Sequence, residues 1–150
     1  MSERSNPIKM IDVSDKEIVH REAEASGRIY LKAETLEKIR DSEIKKGGPL
    51  PAAEIACILA VKKTPDVLPL CHPIPITSVD VEFQIAKDHI EARCRVTADY
   101  KTGVEMEALT GVTVALLTIW DMVKYLEKDP DGQYPSTVIS DVKVTEKRKG

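Results

Sequence analysis

Residues 79–96, VDVEFQIAKDHIEARCRV, alternate apolar and polar side chains along two runs that are separated by Lys87-Asp88. A period of two is typical of strands with one buried face, and two such runs around a short polar break predict a β-hairpin. Folding the segment at Lys87-Asp88 brings apolar residues together on one face and opposite charges together on the other. The predicted cross-strand pairs are Val81 with Cys94, Glu82 with Arg93 and Asp80 with Arg95.

Five further segments around the hairpin carry strand or helix patterns. They are a strand over residues 19–31, a helix over 33–44 that ends at Gly47-Gly48, a helix that begins near Pro51 and ends before Pro65, a long helix over 104–127 and a strand over 138–145. This order of elements is typical of the ferredoxin-like split βαβ arrangement. We therefore predict an α+β fold with a four-stranded antiparallel sheet and helices packed on one face.

The long helix is predicted to be buried on most of its circumference, because residues 108–120 contain no charged side chain. Such a helix must pack against the sheet, against a neighbouring subunit, or against both. Two of the three cysteines, Cys57 in an apolar helix and Cys94 in the hairpin, are predicted to be core residues.

The composition is that of a soluble protein with one domain. The 150 residues are 42% hydrophobic and 31% charged, with a net charge of −3. This balance argues against nucleic-acid binding, and the charge-free stretches are too short to span a membrane. Three cysteines without C-x-x-C spacing, and an N-terminus unlike a signal peptide, favour a cytoplasmic location. We predict a flexible arm over residues 1–16 and a single domain over 17–150.

Asp121 and Lys124 follow the charge-free stretch of the long helix and lie three residues apart. At helical spacing they share a stripe with Met106, Thr110 and Leu117 rather than with a fully polar face. A partly buried lysine whose pKa is tuned by a carboxylate can act as a general acid or base. An ordinary surface ion pair at a helix end has the same spacing. Periodicity alone leaves both interpretations open.

Two glutamates open the same helix. Thr102 and Glu105 have the T-x-x-E spacing of a capping box, which would explain Glu105 without a ligand. Glu107 has no such explanation. A pair of carboxylates would repel phosphate but would accept hydrogen bonds from the donor edge of a guanine or pterin ring. That is our hypothesis for Glu105 and Glu107.

The turn between the second helix and the hairpin, LPLCHPIP over residues 68–75, contains three prolines. A rigid connection of this kind suits a positioned site. His72, beside Cys71, could be an acid or base, a phosphate contact, a metal ligand or a packed turn residue. A lone Cys-His pair without further ligands at metal spacing is weak support for zinc, so no metal site is predicted.

Three short basic clusters occur along the chain. They are Lys45-Lys46, Lys62-Lys63 and Lys147-Arg148-Lys149. If they meet in the folded protein, they could hold a small polyanion. As solvated ends of helices and strands they would have no ligand, and charge runs are more often of this second kind.

Two long segments and one dipeptide point to a family. Residues 62–77, KKTPDVLPLCHPIPIT, residues 101–124, KTGVEMEALTGVTVALLTIWDMVK, and Lys46-Gly47 closely resemble the molybdenum cofactor biosynthesis protein C family, the cyclic pyranopterin monophosphate synthases. The resemblance runs from about Asp12 to the C-terminus. It implies a ferredoxin-like fold assembled as a homohexamer, a trimer of dimers with active sites between subunits. It also implies conversion of 3′,8-cyclo-7,8-dihydroguanosine 5′-triphosphate into cyclic pyranopterin monophosphate and pyrophosphate.

Carried over by position, the family's catalytic aspartate and lysine fall on Asp121 and Lys124. The resemblance implies that Lys124 is the principal general acid/base and that Asp121 orients it and tunes its pKa. The substrate-binding residues that it implies are Lys46, Leu70, Cys71, His72, Glu105, Met106 and Glu107. No cofactor is implied, although Mg²⁺ could accompany the triphosphate.

Two features of the chain depart from the family pattern. Gly48-Pro49 replaces the acidic residue that commonly follows Lys-Gly, and the tail reads EKRKG instead of a glycine-rich ending. The competing interpretation is a non-enzymatic nucleotide- or pterin-binding regulatory domain, because ferredoxin-like folds host many such modules.

Overall fold

The computed structural model describes residues 7–150, and within them the chain forms four strands, three longer helices and one single-turn helix. In chain order they are β1 (Val19–Tyr30), α1 (Ala33–Arg40), α2 (Pro49–Lys62), α3 (Thr64–Val67), β2 (Ile76–Ile85), β3 (His89–Tyr100), α4 (Glu105–Glu127) and β4 (Val138–Lys149). Part of the predicted N-terminal arm, residues 1–6, lies outside the described residues. Residues 7–16 contain neither helix nor strand.

The four strands form one antiparallel sheet in the order β2-β3-β1-β4. Helix α4 packs against β1, β3 and β4, and α2 packs against α4 and β2. This is the predicted α+β ferredoxin-like fold with its helices on one face of the sheet, and the prediction is confirmed.

The hairpin register is also confirmed. Val81 pairs with Cys94, Glu82 with Arg93 and Asp80 with Arg95, as the alternation predicted. The hairpin closes at residues 86–89, where the Ala86 amide donates to the His89 carbonyl at 2.8 Å. Both Cys94 and Cys57 are fully buried, which confirms them as core residues.

Helix α1 is shorter than predicted, because it ends at Arg40 rather than near Ile44. Ser42 adopts a left-handed φ of 57°. The Glu43 amide then donates to the Lys38 carbonyl at 2.9 Å, and the Ser42 amide to the Ile39 carbonyl at 3.3 Å. These two bonds are those of a Schellman motif, so the helix is closed by a serine before it reaches the two glycines.

Helix α2 begins two residues earlier than predicted, with Pro49 in its first turn, where the missing amide of proline costs no hydrogen bond. Pro65 does not stop helical structure at Thr64, because Thr64 begins the single-turn α3. The buried face of α2 is formed by small side chains, and the larger ones at Ile55 and Leu59 are 63% and 51% exposed. The buried residues of α2 are Pro49, Ala53, Cys57 and Val61.

Helices α2 and α4 pack closely at Gly111, where only small side chains of α2 fit between them. A methyl group added at Gly111 would lie 2.8 Å from Val61 Cγ2, 2.9 Å from Cys57 Sγ and 3.2 Å from Cys94 Sγ. Helix α4 therefore approaches both α2 and β3 at a distance that only glycine allows. The predicted burial of α4 is confirmed for this side, whereas Leu117 on the opposite side is 57% exposed.

By length and hydropathy α4 could cross a membrane, but half of its most apolar stretch is buried inside the fold. Helix α4 is the central helix of the core, and the sheet and α2 cover it on one side. Buried core helices commonly meet the same criterion of length and hydropathy.

Strand β4 continues to Lys149, four residues beyond the predicted end at Thr145. Its charged tail pairs with β1 at the sheet edge, with Lys149 opposite Arg21 and Lys147 opposite Ala23. The prediction ended too early because the alternation fades in EKRK, while the backbone of β1 still offers hydrogen bonds. Charged side chains are common on edge strands, where they discourage pairing with other chains.

The buried side chain of Glu127 connects the C-terminal end of α4 with the start of α1 and with the residue before β4. Glu127, the last residue of α4, is fully buried and accepts hydrogen bonds from the Lys32 amide, from Thr35 Oγ1 and from Thr137 Oγ1. The carboxyl group thus has hydrogen-bond partners at the start of α1 and just before β4. These bonds fix the C-terminal end of α4, which carries Asp121 and Lys124.

Candidate active site

The predicted site residues form two clusters at opposite ends of α4. Met106 and Lys124 are 18 residues apart on one stripe of this helix, which corresponds to about 27 Å along its axis. We call the group of Lys46, Asp121 and Lys124 the lysine cluster, and the group of Glu105, Met106, Glu107 and residues 70–72 the glutamate cluster. One chain does not bring the two clusters together.

In the lysine cluster Asp121 lies between two ammonium groups. Asp121 Oδ1 is 3.2 Å from Lys124 Nζ, and Asp121 Oδ2 is 3.4 Å from Lys46 Nζ. Lys46 Nζ also donates to the Asp121 carbonyl at 3.3 Å. The hydrogen bond from Lys124, followed by the charge of Lys46, holds the pKa of Asp121 below its usual range. Asp121 is therefore an anion at neutral pH.

The surroundings of the lysine cluster differ from the sequence prediction. The side chains of Asp121, Lys124 and Lys46 are 59%, 44% and 49% exposed, whereas one of the two interpretations left open by the sequence was a partly buried lysine. The reason is that Met122, Val123 and Glu127 form the buried face at this end of α4, and Asp121 and Lys124 lie to its side. Within one chain the cluster is open to water and accessible to a ligand.

Lys46 reaches the helix from a tight turn. The Gly47 amide donates to the Ile44 carbonyl at 3.0 Å, which makes Lys45 and Lys46 the central residues of a β-turn. Ile44 is buried, and Gly47 adopts a φ of 105° that favours glycine. Gly48 is then the N-cap of α2, so the Gly48-Pro49 sequence ends the turn and begins the helix.

The capping box that the spacing of Thr102 and Glu105 would allow at the other end of α4 does not form. The N-cap is Val104, so Glu105 is the first helical residue instead of the third, and Thr102 lies too early to cap it. Thr102 Oγ1 donates to the Gly103 carbonyl at 3.2 Å. Glu105 Oε1 instead accepts from Lys147 Nζ at 3.3 Å. Glu105 is thus free of any capping role.

Glu107 is 1% exposed, although it carries a carboxyl group. Its Oε2 accepts a hydrogen bond from Cys71 Sγ at 3.7 Å, and burial raises its pKa. Glu107 Oε1 and Glu105 Oε2 are both buried and have no hydrogen-bond partner among residues 7–150. Buried acceptors in this state are rare, and a ligand that brings hydrogen-bond donors would satisfy them.

The proline-rich turn presents its side chains to this end of the helix. The Cys71 amide donates to the Leu68 carbonyl at 3.0 Å. Burial, followed by the nearby charge of Glu107, raises the pKa of the Cys71 thiol to about 11. At neutral pH Cys71 is therefore a thiol that donates a hydrogen bond, and it is poorly suited to be a nucleophile.

A cavity of about 640 Å³ opens beside the turn. Four of the predicted residues line it, namely Leu70, Cys71, His72 and Met106. The N-terminal segment also lines it, through Lys9, Ile11, Val13 and Lys16. Sequence reasoning missed this contribution, because residues 7–16 have no periodic pattern that would place them against the fold.

Lys147 is a further residue that sequence reasoning missed at this site. It was noted only as part of a basic cluster, and no local pattern links it to Glu105, which lies 42 residues earlier. The three basic clusters do not meet within one chain, because Lys147 contacts the first residue of α4 while Lys46 contacts Asp121 near its end. Lys62 and Lys63 lie at the C-terminal end of α2.

The described residues offer no conventional metal site. Across 7–150, no three His, Cys, Asp or Glu side chains come together in an arrangement that could hold a metal ion. His72 lines the cavity with Cys71 beside it, without a third such group. The other two histidines contact nearby carboxylates, His20 with Asp99 and Glu22, and His89 with Asp88.

Comparison with known proteins points to the same family that the sequence motifs resemble. The sequence model of the MoaC family matches residues 10–150. A protein of Thermococcus kodakarensis named "Probable cyclic pyranopterin monophosphate synthase" is 62% identical, and the alignment covers 95% of this chain and 92% of that protein. A protein of the same name from Methanosarcina acetivorans is 55% identical, with 95% and 90% covered. A 56% identical protein of Methanothermobacter thermautotrophicus, with 95% and 89% covered, is named "Probable cyclic pyranopterin monophosphate synthase accessory protein".

Proposed function

Because this chain belongs to the MoaC family, we propose that it is a cyclic pyranopterin monophosphate synthase of molybdenum cofactor biosynthesis. The proposed reaction converts 3′,8-cyclo-7,8-dihydroguanosine 5′-triphosphate into cyclic pyranopterin monophosphate and pyrophosphate. The observation that carries this proposal is the family match over residues 10–150, together with relatives of that name that are 62% and 55% identical.

In this proposal Lys124 is the general acid/base and Asp121 orients it. The reaction opens and rebuilds a purine-derived ring and then closes a cyclic phosphate, which requires several proton transfers and one displacement at phosphorus. Lys124 Nζ lies 3.2 Å from the ionised carboxylate of Asp121, which fixes the position of the group that is proposed to transfer protons. Lys46, on the other side of Asp121, supplies a second cation for the triphosphate.

The glutamate cluster is proposed to bind the ring system. The unpartnered oxygens of Glu105 and Glu107 would accept hydrogen bonds from the ring N–H groups of a guanine-derived substrate. Leu70 and Met106, which are 42% and 41% exposed, offer apolar contacts beside them. Cys71 and His72 line the cavity together with Leu70 and Met106, whereas Glu105 and Glu107 are not among its lining residues. Glu107→Gln should weaken substrate binding, and unchanged binding would contradict this assignment.

The two clusters are proposed to meet between subunits of a homohexamer, a trimer of dimers. The distance of about 27 Å along α4 supports this arrangement, because one substrate of this size cannot reach both clusters of the same chain. Exposed apolar residues on the helical layer, at Ile55, Leu59 and Leu117, provide surface that a second copy would bury.

We propose that the enzyme works in the cytoplasm without a resident cofactor. Mg²⁺ would enter only with the triphosphate, whose oxygens it prefers as ligands. A test is to assay the purified protein with and without a chelator, and dependence on any other metal would contradict the proposal.

The decisive experiment supplies the cyclic dihydroguanosine triphosphate to the purified protein and measures pyrophosphate and the cyclic phosphate product. Lys124→Ala is expected to reduce the rate by at least about a hundredfold, because general acid/base catalysis contributes that much or more. The control is the oligomeric mass of the variant, which should equal that of the wild type. Loss of assembly together with activity would indicate a structural role for Lys124.

A binding module that serves another enzyme is the second candidate, and the accessory name of one relative favours testing it. Such a module would bind the substrate without turning it over. The same assay separates the two, because a protein that binds the triphosphate yet releases no pyrophosphate on its own is not the synthase.

A further inference from the structure

We propose that Tyr125 is a positioning residue that holds Lys46 against Asp121, an inference that rests on the proposed function. Tyr125 lies one turn after Asp121 on α4, so both side chains project from the same side of the helix. The Lys45-Lys46 turn contacts both of them. Lys45 contacts Tyr125, and Lys46 contacts Asp121 one helical turn earlier.

The first contact, between Lys45 and Tyr125, involves both the backbone amide and the side-chain ammonium group of Lys45. Its backbone amide donates to Tyr125 Oη at 2.9 Å, and its Nζ lies 5.0 Å from the centre of the Tyr125 ring. The distance is within the range of a cation–π contact. The amide of Lys45 takes no part in closing the β-turn, so it is available for the phenol. The aromatic ring and its hydroxyl thus each hold one part of the same residue.

The second attachment is the contact that matters for chemistry. Lys46 Nζ reaches Asp121 Oδ2 at 3.4 Å and the Asp121 carbonyl at 3.3 Å. These are long contacts between half-exposed groups, and such pairs are weak in isolation. The Tyr125 contacts reduce the freedom of the turn and thereby lower the entropy that Lys46 loses when it engages Asp121. Among residues 7–150 Tyr125 has no hydrogen bond to Asp121, and in this scheme it acts through the turn.

The matched variants are Tyr125→Phe and Tyr134→Phe. Tyr125→Phe keeps the ring under Lys45 and removes only the hydroxyl that accepts from the amide. Tyr134→Phe makes the same chemical change in a tyrosine that packs edge-on against Trp120, with ring centres 5.1 Å apart. Tyr134→Phe should behave as the wild type in each measurement below.

The first measurement is tryptic cleavage after Lys45 and Lys46 in the native protein, which needs no substrate. Loss of one hydrogen bond should make the turn open, and be cut, about fivefold more often in Tyr125→Phe. Cleavage of Tyr125→Phe at the wild-type rate overturns the proposal. Because this readout is independent of activity, it decides the role of Tyr125 even if the wild type proves inactive and the proposed function fails.

The second measurement is a double-mutant cycle with Lys46→Ala in the pyrophosphate assay. Tyr125→Phe should lower kcat by up to about tenfold in the wild-type background and should have no further effect in the Lys46→Ala background. An equal loss in both backgrounds shows that Tyr125 acts elsewhere and overturns the proposal. Tyr125→Leu, which also removes the ring, should show a larger loss of kcat than Tyr125→Phe in the wild-type background only.

Discussion

Asp121 is a carboxylate of the proposed site whose pKa is lowered by two neighbouring lysines. Its two carboxylate oxygens face different lysines, at 3.2 Å and 3.4 Å. Both lysines favour the ionised form, so the pKa of Asp121 is held below its usual range. The carboxylate that is proposed to orient Lys124 thus stays charged throughout the neutral range.

Removing either lysine should raise the pKa of Asp121. Lys124→Ala removes the hydrogen bond that is the largest single cause of the lowered pKa, and Lys46→Ala removes the charge and the hydrogen bond that follow it, so the pKa of Asp121 should rise in both variants. The measurement is a carbon NMR titration of the Asp121 carboxyl group in the wild type and in both variants. A pKa that stays unchanged in both would show that the lysines do not interact with Asp121 in solution.

Glu107 should make folding stability depend on pH in the opposite sense to a salt-bridged carboxylate. Burial raises its folded-state pKa above the ordinary value of 4.5, so the folded protein keeps a proton that the unfolded chain releases. The free energy of unfolding should therefore decrease as pH rises from about 4.5 through the raised pKa. Urea unfolding across this range tests the sign.

Glu107→Gln is the matched control, because it keeps the shape of the side chain and cannot ionise. The pH dependence of the variant should lack the part that Glu107 contributes, and the two proteins should differ most above the raised pKa. Parallel curves for the wild type and the variant would mean that Glu107 titrates normally.

At the scale of elements, the position of α4 depends on one glycine. Helix α4 carries residues of both clusters, and Gly111 lets it approach α2 and β3. The nearest atoms belong to Val61 and to the buried thiols Cys57 and Cys94, all of which lie in the core. Close-packed cores cannot absorb an added methyl group without moving.

Gly111→Ala should destabilise the protein by about 1–3 kcal/mol, the usual cost of overpacking. Alanine is the better helix former, so the intrinsic preference of the backbone acts in the other direction and cannot cause the loss. Thermal and urea unfolding measure the effect. Thr113→Ala, on the exposed side of the same helix, is the control and should be close to neutral. A Gly111→Ala variant as stable as the wild type would show that the helices can separate at no cost.

At the scale of the whole molecule, the separation of the two clusters along α4 leads to a prediction about the proposed homohexamer. If each site takes the lysine cluster from one subunit and the glutamate cluster from another, variants in different clusters should complement each other. A homohexamer of 16.6 kDa chains would have a mass of about 100 kDa, which light scattering can measure.

Mixing unfolded Lys124→Ala and Glu107→Gln chains and refolding them together should restore activity. Each variant alone has one defective cluster in every site, whereas random mixing leaves roughly one site in four with both clusters intact. The control mixture combines Lys124→Ala with Asp121→Asn, two changes in the same cluster, and should stay inactive. Equal failure of both mixtures would place the whole site within one chain.

Local patterns in the sequence were sufficient for much of this protein. The alternation in residues 79–96 predicted the hairpin and its register, and the order of elements predicted the ferredoxin-like sheet, because period and turn position are properties of neighbouring residues. The contact of Asp121 with Lys124, one helical turn apart, could be predicted for the same reason.

Only the tertiary structure decided the features that join distant segments. The Glu105–Lys147 pair, the N-terminal segment along the cavity and the contact of Lys46 with Asp121 each link residues that no local period relates. The structure also shows that the N-cap of α4 is Val104, so the capping box allowed by the Thr102–Glu105 spacing does not form. Helix and strand patterns record which face of an element is buried, whereas the partner on that face is chosen by packing across the whole chain.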